Sequence, residues 1–180
     1  SLGDIIKDVC VTNIGDILLA GYTYSADYPI IGNAYQSLYG GGPFDCFYSR
    51  FSSTGMLLYS TFVGGTYGDA FHTVTTLGNG NIVFAGGSTS SNYPITPGAY
   101  QSMFMGDDAV ITVFSGGDSL LWSTFLGGAA WTEYITGIAV SGNNVFVVGS
   151  FAGWDYPSTP NAAQSNFGGG NMDAFVASFD

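Results

Sequence analysis

The sequence predicts an all-β protein made of β-propeller blades, each a sheet of four short antiparallel strands, and three observations support this expectation. A pattern of about 65 residues occurs three times in the 180-residue chain, which indicates a repeat architecture. The apolar stretches between Gly- and Asn-containing turns have the length of single strands. Some are apolar on consecutive residues, as from Val145 to Val148, which is typical of strands covered on both faces. Sheets of this kind, stacked face to face, form a propeller.

Short motifs mark each copy of the repeat. A Tyr-Pro pair begins at Tyr28, Tyr93 and Tyr156. An Ala-x-Gln-Ser element follows each pair, and a recurrent aspartate comes next, at Asp45, Asp108 and Asp173. The strings YSTFVGG and WSTFLGG end the first and second copies. Residues needed in every copy are expected to serve the fold.

Four strands are predicted in each unit. The first strands are Ile5–Thr12, Phe71–Leu77 and Tyr134–Val140, and the second are Ile17–Tyr22, Ile82–Gly87 and Val145–Phe151. An Asn/Gly turn between them predicts a hairpin. A long loop then leads to a third strand that starts at the recurrent aspartate, and the fourth strands are Leu57–Val63 and Leu120–Leu126. The one helical signal is a single turn opened by Thr96-Pro97 or Thr159-Pro160.

These strands divide the chain into blade 1 (residues 1–65), blade 2 (66–128) and blade 3 (129–180), the last without its fourth strand. A propeller closes with roughly 4 to 8 blades. We therefore expect an open arc of about three blades, completed by the remaining blades of the same propeller or by another protein chain.

Composition excludes several classes of partner. Two cations, Lys7 and Arg50, stand against 13 acidic residues, which gives a net charge of −11. Such a surface repels phosphate backbones and anionic lipid heads, so neither nucleic acid nor a charged membrane surface is expected as a partner. No apolar run reaches the length of a membrane span. The low Lys content and the abundance of Gly, Ser, Thr, Asn and Tyr fit an extracellular bacterial protein.

The chain offers few groups for catalysis or metal binding. The motifs GxSxG, HExxH, CxxC and the DxDxDG calcium loop do not occur in it, and His72 is the one histidine. We therefore expect neither a cofactor nor a metal, and no enzymatic activity. A Glu133-based acid/base pair, with Asp155 as its nearest partner by topology, stays open as an alternative.

Residues that do not recur are the candidates for function. Trp131, Trp154 and Tyr67 stand opposite small residues in the other copies. Propeller topology brings Trp131, Glu133, Trp154 and Asp155 to the same side of blade 3. Flat aromatic rings beside hydrogen-bonding groups suit a sugar ring or a protein partner. The alternative is that these aromatic residues pack against a neighbouring blade.

The two cysteines, Cys10 and Cys46, are predicted to lie in the first and third strands of blade 1. Two inter-strand steps separate Cα atoms by about 9–10 Å, beyond the roughly 7 Å limit for a disulfide. We expect two free thiols, with a disulfide as the alternative that an oxidising compartment favours.

The strings GNIVFAGGSTSSNYPITPGAYQS, DAVITVF and LLWSTFLGG resemble the bacterial SBBP-type β-propeller repeat, over nearly the whole chain. This resemblance implies a secreted or surface-anchored bacterial protein whose propeller is a recognition or scaffold module without common catalytic residues. The second copy departs from the pattern, since Met103–Met105 replaces the Gly-rich segment of the others. We expect a non-catalytic scaffold or interaction module. The first alternative is a carbohydrate-binding or adhesion module, and the second is an enzyme that acts on polysaccharide.

Overall fold

The computed structural model describes residues 2–129 and 132–180, and these residues form three antiparallel sheets. The first sheet contains β1 (Asp4–Val11), β2 (Ile17–Thr23), β3 (Asp45–Phe51) and β4 (Leu57–Val63). The second contains β5 (Asp69–Thr76), β6 (Ile82–Ser88), β7 (Asp108–Phe114) and β8 (Leu120–Leu126). The third contains β9 (Glu133–Ser141), β10 (Asn144–Phe151) and β11 (Asp173–Phe179). The strands of each sheet follow one another in chain order.

The predicted all-β architecture is therefore confirmed, with sheets of four, four and three strands in the described residues. The sheets fall within residues 1–65, 66–128 and 129–180. At the two Thr-Pro pairs, where a single helical turn was expected, the chain forms one hydrogen-bonded turn without helix, from Ala99 N to Thr96 O at 3.2 Å and from Ala162 N to Thr159 O at 3.0 Å.

The three sheets pack face to face in sequence. One apolar cluster joins the first sheet to the second and includes Leu18, Tyr48, Phe84 and Phe114. A second cluster joins the other face of the second sheet to the third. The strand β7 is buried along its whole length, because both of its faces are covered. The coverage of both faces that was predicted for Val145 to Val148 is wrong, because β10 alternates between buried and exposed residues and no further sheet lies against its outer face in the part of the chain that the structure describes.

A glycine near the end of each second strand is required by a bulge in the first strand. The register shifts between Ile6 and Asp8 in β1 and between Phe71 and Thr73 in β5. The displaced carbonyl oxygen of Ala70 lies only 1.9 Å from where a Cβ on Gly86 would sit, and the other two sheets repeat this approach at Gly21 and Gly149. Any side chain there would overlap with backbone, so glycine is the residue that fits.

The long loop of the first two sheets is fastened along the fourth strand by one glutamine and one threonine. In the second sheet, the main chain of Gln101 donates to Thr124 Oγ1 at 2.9 Å and accepts from Phe125 N at 3.1 Å. Its side-chain Oε1 accepts from Gly127 N at 3.0 Å. In the first sheet, Gln36 makes the same contacts with Thr61 and Phe62 of β4 and with Gly64, which follows that strand. The loop and the fourth strand therefore form one unit.

Cys10 and Cys46 are free thiols, half-buried and buried respectively. The strand β2 lies between the strands that carry them. The described residues hold no helix that is both long enough and apolar enough to cross a membrane.

Candidate functional site

The recurrent aspartates lie at the first position of β3, β7 and β11, where each holds the end of the preceding loop. Asp108 Oδ2 accepts from the Met105 amide at 2.9 Å. Asp45 accepts in the same way from the Gly40 amide, and Asp173 from the Gly168 amide. The side chain of Gln101 also donates to Asp108, at 3.3 Å. A carboxylate here closes the loop onto its strand.

Asp108 also faces Glu133, the first residue of β9 in the neighbouring sheet. The point where a Cβ on Gly127 would sit lies 2.3 Å from Asp108 Oδ1 and 2.8 Å from Glu133 Oε2. The two oxygens are therefore no farther apart than the sum of these distances. Asp108 is fully buried and Glu133 is 2% exposed. The glycine leaves the space in which two carboxyl groups from different sheets meet.

This carboxyl pair is poor in hydrogen bonds. Asp108 Oδ1 and both carboxyl oxygens of Glu133 are buried without a hydrogen-bond partner among the described residues. Burial, together with the charge of Asp108, raises the pKa of Glu133 to about 8, and the nearby Gly128 amide only partly opposes this rise. Burial likewise raises the pKa of Asp108 to about 6. The pair therefore holds a proton at neutral pH, because two like charges in one buried site cannot both be ionised cheaply.

A similar pair between the first and second sheets is better supplied with donors. Near Gly64, Asp45 meets Asp69, which accepts from the Gly65 amide at 2.7 Å and from Ser90 at 2.9 Å, and also from Ser88. Burial still raises the pKa of Asp69 to about 6 and that of Asp45 to about 7.

Glu133 lacks these donors because the third sheet carries different residues at the two serine positions. Phe151 pairs with Glu133 in the place where Ser88 pairs with Asp69. Gly153 stands where the second sheet has Ser90. Glu133 is thus the carboxyl of these two pairs with the fewest hydrogen-bond donors around it. The described residues contain no group of three or more His, Cys, Asp or Glu placed to hold a metal.

The predicted aromatic-acidic patch is only partly assembled on the surface. Trp154 is 75% exposed and packs edge-on against Phe167, with ring centroids 5.2 Å apart. The adjacent Asp155 accepts from the Ala129 amide at 2.6 Å, so it ties the long loop to the connection that precedes β9. Glu133 is buried and does not share the exposed surface of Trp154. Trp131 lies outside the described residues.

The fifth candidate, Tyr67, is 60% exposed and lies on the connection between β4 and β5. Its amide donates to Ser90 Oγ at 2.8 Å. The next residue, Gly68, has its amide on Thr89 Oγ1 at 2.9 Å. The main chain of this segment is therefore fixed, and the phenol ring is largely exposed to solvent on the connection between the first and second sheets.

The recurrent tyrosines lie between each long loop and its own sheet. The Tyr93 hydroxyl shares a hydrogen bond with Thr112 at 2.7 Å, and the Tyr28 hydroxyl shares one with Ser49 at 2.8 Å. In the third sheet Ala177 occupies that position. The Tyr156 hydroxyl is consequently buried without a partner among the described residues.

The sequence analysis did not predict an ion pair that joins the first sheet to the second. Arg50 of β3 contacts Asp118 in the turn between β7 and β8, and it also contacts Asp16 at 3.5 Å. The Tyr48 hydroxyl donates to Asp118 Oδ1 at 2.7 Å. Asp118 has a positive φ of 66°, which the aligned Gly55 adopts without strain. The sequence did contain a signal for this ion pair: Asp118 stands where the first repeat has Gly55, in a chain whose one arginine is Arg50.

A cavity lies at the third sheet. It has a volume of about 930 Å³. Its walls include β11, the long loop of the third sheet, and Trp122 of the second sheet. No sequence motif predicted this cavity.

No family model matches the chain, and no curated protein matches it either. The likeness to the SBBP-type repeat stays a prediction that rests on the repeated strings.

Proposed function

We propose that this chain is a non-catalytic scaffold or interaction module, built as an open arc of β-propeller blades, in a secreted or cell-surface bacterial protein. The observation that carries the proposal is the pair of apolar sheet faces at the two ends of the stack. Each of these faces corresponds to a face that is buried elsewhere in the same molecule.

The outer face of the first sheet matches a buried face of the second. Ile6 and Val9 are each 57% exposed, whereas the equivalent Phe71 and Val74 are 0% and 5% exposed. Phe71 and Val74 belong to the cluster that joins the second sheet to the first. The first sheet therefore offers the kind of surface that another sheet covers within this protein.

The outer face of the third sheet matches the opposite face of the second. Val148 and Val176 are 47% and 72% exposed, whereas the equivalent Ala85 and Ile111 are fully buried against the third sheet. The two ends are therefore different from each other and complementary in kind. Further sheets of the same type, from the same propeller or from another chain, fit both ends by head-to-tail contact.

Association through the end faces tests this proposal. We expect the chain to self-associate with rising concentration in size-exclusion chromatography with light scattering. The variants Ile6→Lys and Val148→Lys should each reduce association, because each places a charge on one end face. Asn13→Lys, which adds the same charge in an exposed turn, is the control. A stable monomer over the micromolar range, or equal effects of all three substitutions, would contradict the proposal.

Glycan binding is the second candidate, and the exposed indole of Trp154 beside Asp155 favours it. Flat aromatic surfaces stack on sugar rings in the way they stack on other flat groups. A glycan array should then show a ligand that is lost with Trp154→Ala and kept with Tyr67→Ala, since Tyr67 lies elsewhere. Binding that survives Trp154→Ala would remove this candidate.

A further inference from the structure

The third sheet differs from the other two at one edge. Within residues 2–129 and 132–180, no strand lies beside the outer edge of β11, the position that β4 and β8 occupy in the other sheets. The 930 Å³ cavity runs along this edge, between β11 and the long loop of the same sheet. We call this space the strand groove and define it by Pro157, Gln164, Phe167, Ala174 and Val176.

From this geometry we propose that the strand groove binds one extended strand of a further repeat, with the sequence aromatic-Ser-Thr-Phe-aliphatic-Gly-Gly. The inference deepens the proposed function, because it names the segment that completes the third sheet. Its support comes from three sets of contacts that the first and second sheets make with such a strand.

Serine contacts in the two complete sheets supply the first part of the argument. Ser60 of β4 donates to the Pro29 carbonyl, and Ser123 of β8 donates to the Pro94 carbonyl. The equivalent Pro157 lies in the wall of the strand groove. A strand seated there therefore meets the same proline carbonyl with its serine.

Gln164 is already held in the position that its equivalent uses. Its Nε2 donates to the Asn166 carbonyl at 3.0 Å and to Asp173 Oδ2 at 3.2 Å. The equivalent Gln101 is fixed by Met103 and Asp108 at 3.0 and 3.3 Å. Gln101 uses its Oε1 and its main chain to bind β8 and the glycine that follows it, and Gln164 lines the strand groove. This pre-positioning reduces the cost of binding.

Aromatic contacts account for the phenylalanine of the pattern. Phe125 of β8 lies 6.1 Å from Tyr93 and 5.6 Å from Phe104, ring centroid to ring centroid. The equivalent rings in the third sheet, Tyr156 and Phe167, line the strand groove. A phenylalanine in the fourth-strand position would therefore pack against two aromatic rings.

The edge itself is suited to pairing. The sequence of β11, DAFVASF, contains no Lys, Arg or Pro, the residues that commonly protect an edge strand. Its exposed Val176 corresponds to Ile111, which pairs with Thr124 of β8. Main-chain bonds to the edge would supply affinity, and the loop contacts would supply sequence specificity.

A labelled peptide with the sequence of residues 117–128, GDSLLWSTFLGG, tests the proposal in a fluorescence anisotropy titration against the intact chain. The control peptide carries Ser123→Ala and Thr124→Val, which keep strand propensity and remove the hydroxyl bonds. We expect saturable binding of the first peptide and affinity at least about tenfold weaker for the control. In the protein, Gln164→Ala should weaken binding and Asn13→Ala should leave it unchanged.

Amide hydrogen exchange locates the peptide, and we expect protection in β11. If the free peptide is poorly soluble, a second measurement replaces the titration. Residues 116–128 are appended after Asp180, and the melting temperature of this extended chain is compared with that of the same extended chain carrying the two substitutions. Equal affinities, protection away from β11, or equal melting temperatures would overturn the proposal. The end-face proposal would survive such a result, since it is tested at Ile6 and Val148 and neither residue lines the strand groove.

Discussion

Replacing Glu133 by Gln should change how the stability of this protein depends on pH. The pKa of the Glu133 carboxyl is about 8 in the folded chain, against an ordinary value of 4.5. Below pH 4.5 the carboxyl is protonated in both states, so it adds no pH dependence. Between pH 4.5 and 8 the folded state keeps the proton and the unfolded state releases it, so stability falls as pH rises.

The size of the effect follows from this difference. Each pH unit in that window lowers the free energy of unfolding by about 1.4 kcal/mol for one group. Relaxation and water entry reduce the penalty of a buried charge, so we expect a total loss of roughly 2–4 kcal/mol by pH 8 from Glu133. The raised pKa values of Asp45, Asp69 and Asp108 act in the same direction over lower windows. The protein should therefore be more stable at pH 5 than at pH 8.

Glu133→Gln removes the ionisable group and keeps the shape of the side chain. We expect the variant to match the parent chain at pH 4.5 and to exceed it by roughly 2–4 kcal/mol at pH 8.5. Urea unfolding followed by tryptophan fluorescence, from pH 4.5 to 9, gives the free energy at each pH, and an unchanged slope with urea shows that the denatured state is comparable.

Asn13→Ala, in an exposed turn, is the control because it changes no ionisable group. Its pH profile should parallel that of the parent chain. Parallel profiles for the parent and for Glu133→Gln would refute the reasoning, since the buried carboxyl would then keep its ordinary pKa. A direct NMR titration of the Glu133 carboxyl carbon would separate its contribution from that of Asp108.

Two further predictions concern packing and backbone. Ile111→Ala should cost about 2–5 kcal/mol of stability and the equivalent Val176→Ala less than about 0.5 kcal/mol, because the first side chain is fully buried and the second is 72% exposed; similar values from urea unfolding would show that the exposed end face is covered in solution. Gly86→Ala should destabilise the chain by several kcal/mol, or abolish folding, because the new Cβ would overlap the Ala70 carbonyl oxygen, whereas Gly78→Ala, with its nearest neighbour at 3.8 Å, should be close to neutral by thermal melting.

Much of the fold was predictable because the repeat supplies three versions of the same information. Strands β4 and β8 agree with the predicted Leu57–Val63 and Leu120–Leu126. The consecutive apolar residues from Val145 to Val148 predicted coverage on both faces, but β10 is covered on one face, with Phe146 and Val148 37% and 47% exposed. The same alignment separated Tyr93, which is buried against Thr112, from the exposed Trp154.

The candidate site was less predictable, because burial of a carboxyl depends on neighbours that lie far apart in sequence. Glu133 looked like a surface acid beside two tryptophans. It is buried because Gly127 leaves space for it, and it lacks donors because Phe151 and Gly153 replace two serines. The strand groove likewise has no motif of its own, since it is the space between β11 and a loop that recurs elsewhere with a strand in it.

The second sheet is the only one of the three, within the described residues, whose two faces are both covered by other sheets. In a stack of this kind, stability is close to a sum of unit and nearest-neighbour terms. Opening should therefore start at the first and third sheets and move inward. The second sheet should then be the last part of the molecule to unfold. Each further sheet added at an end would slow local unfolding at that end without altering the contacts already formed.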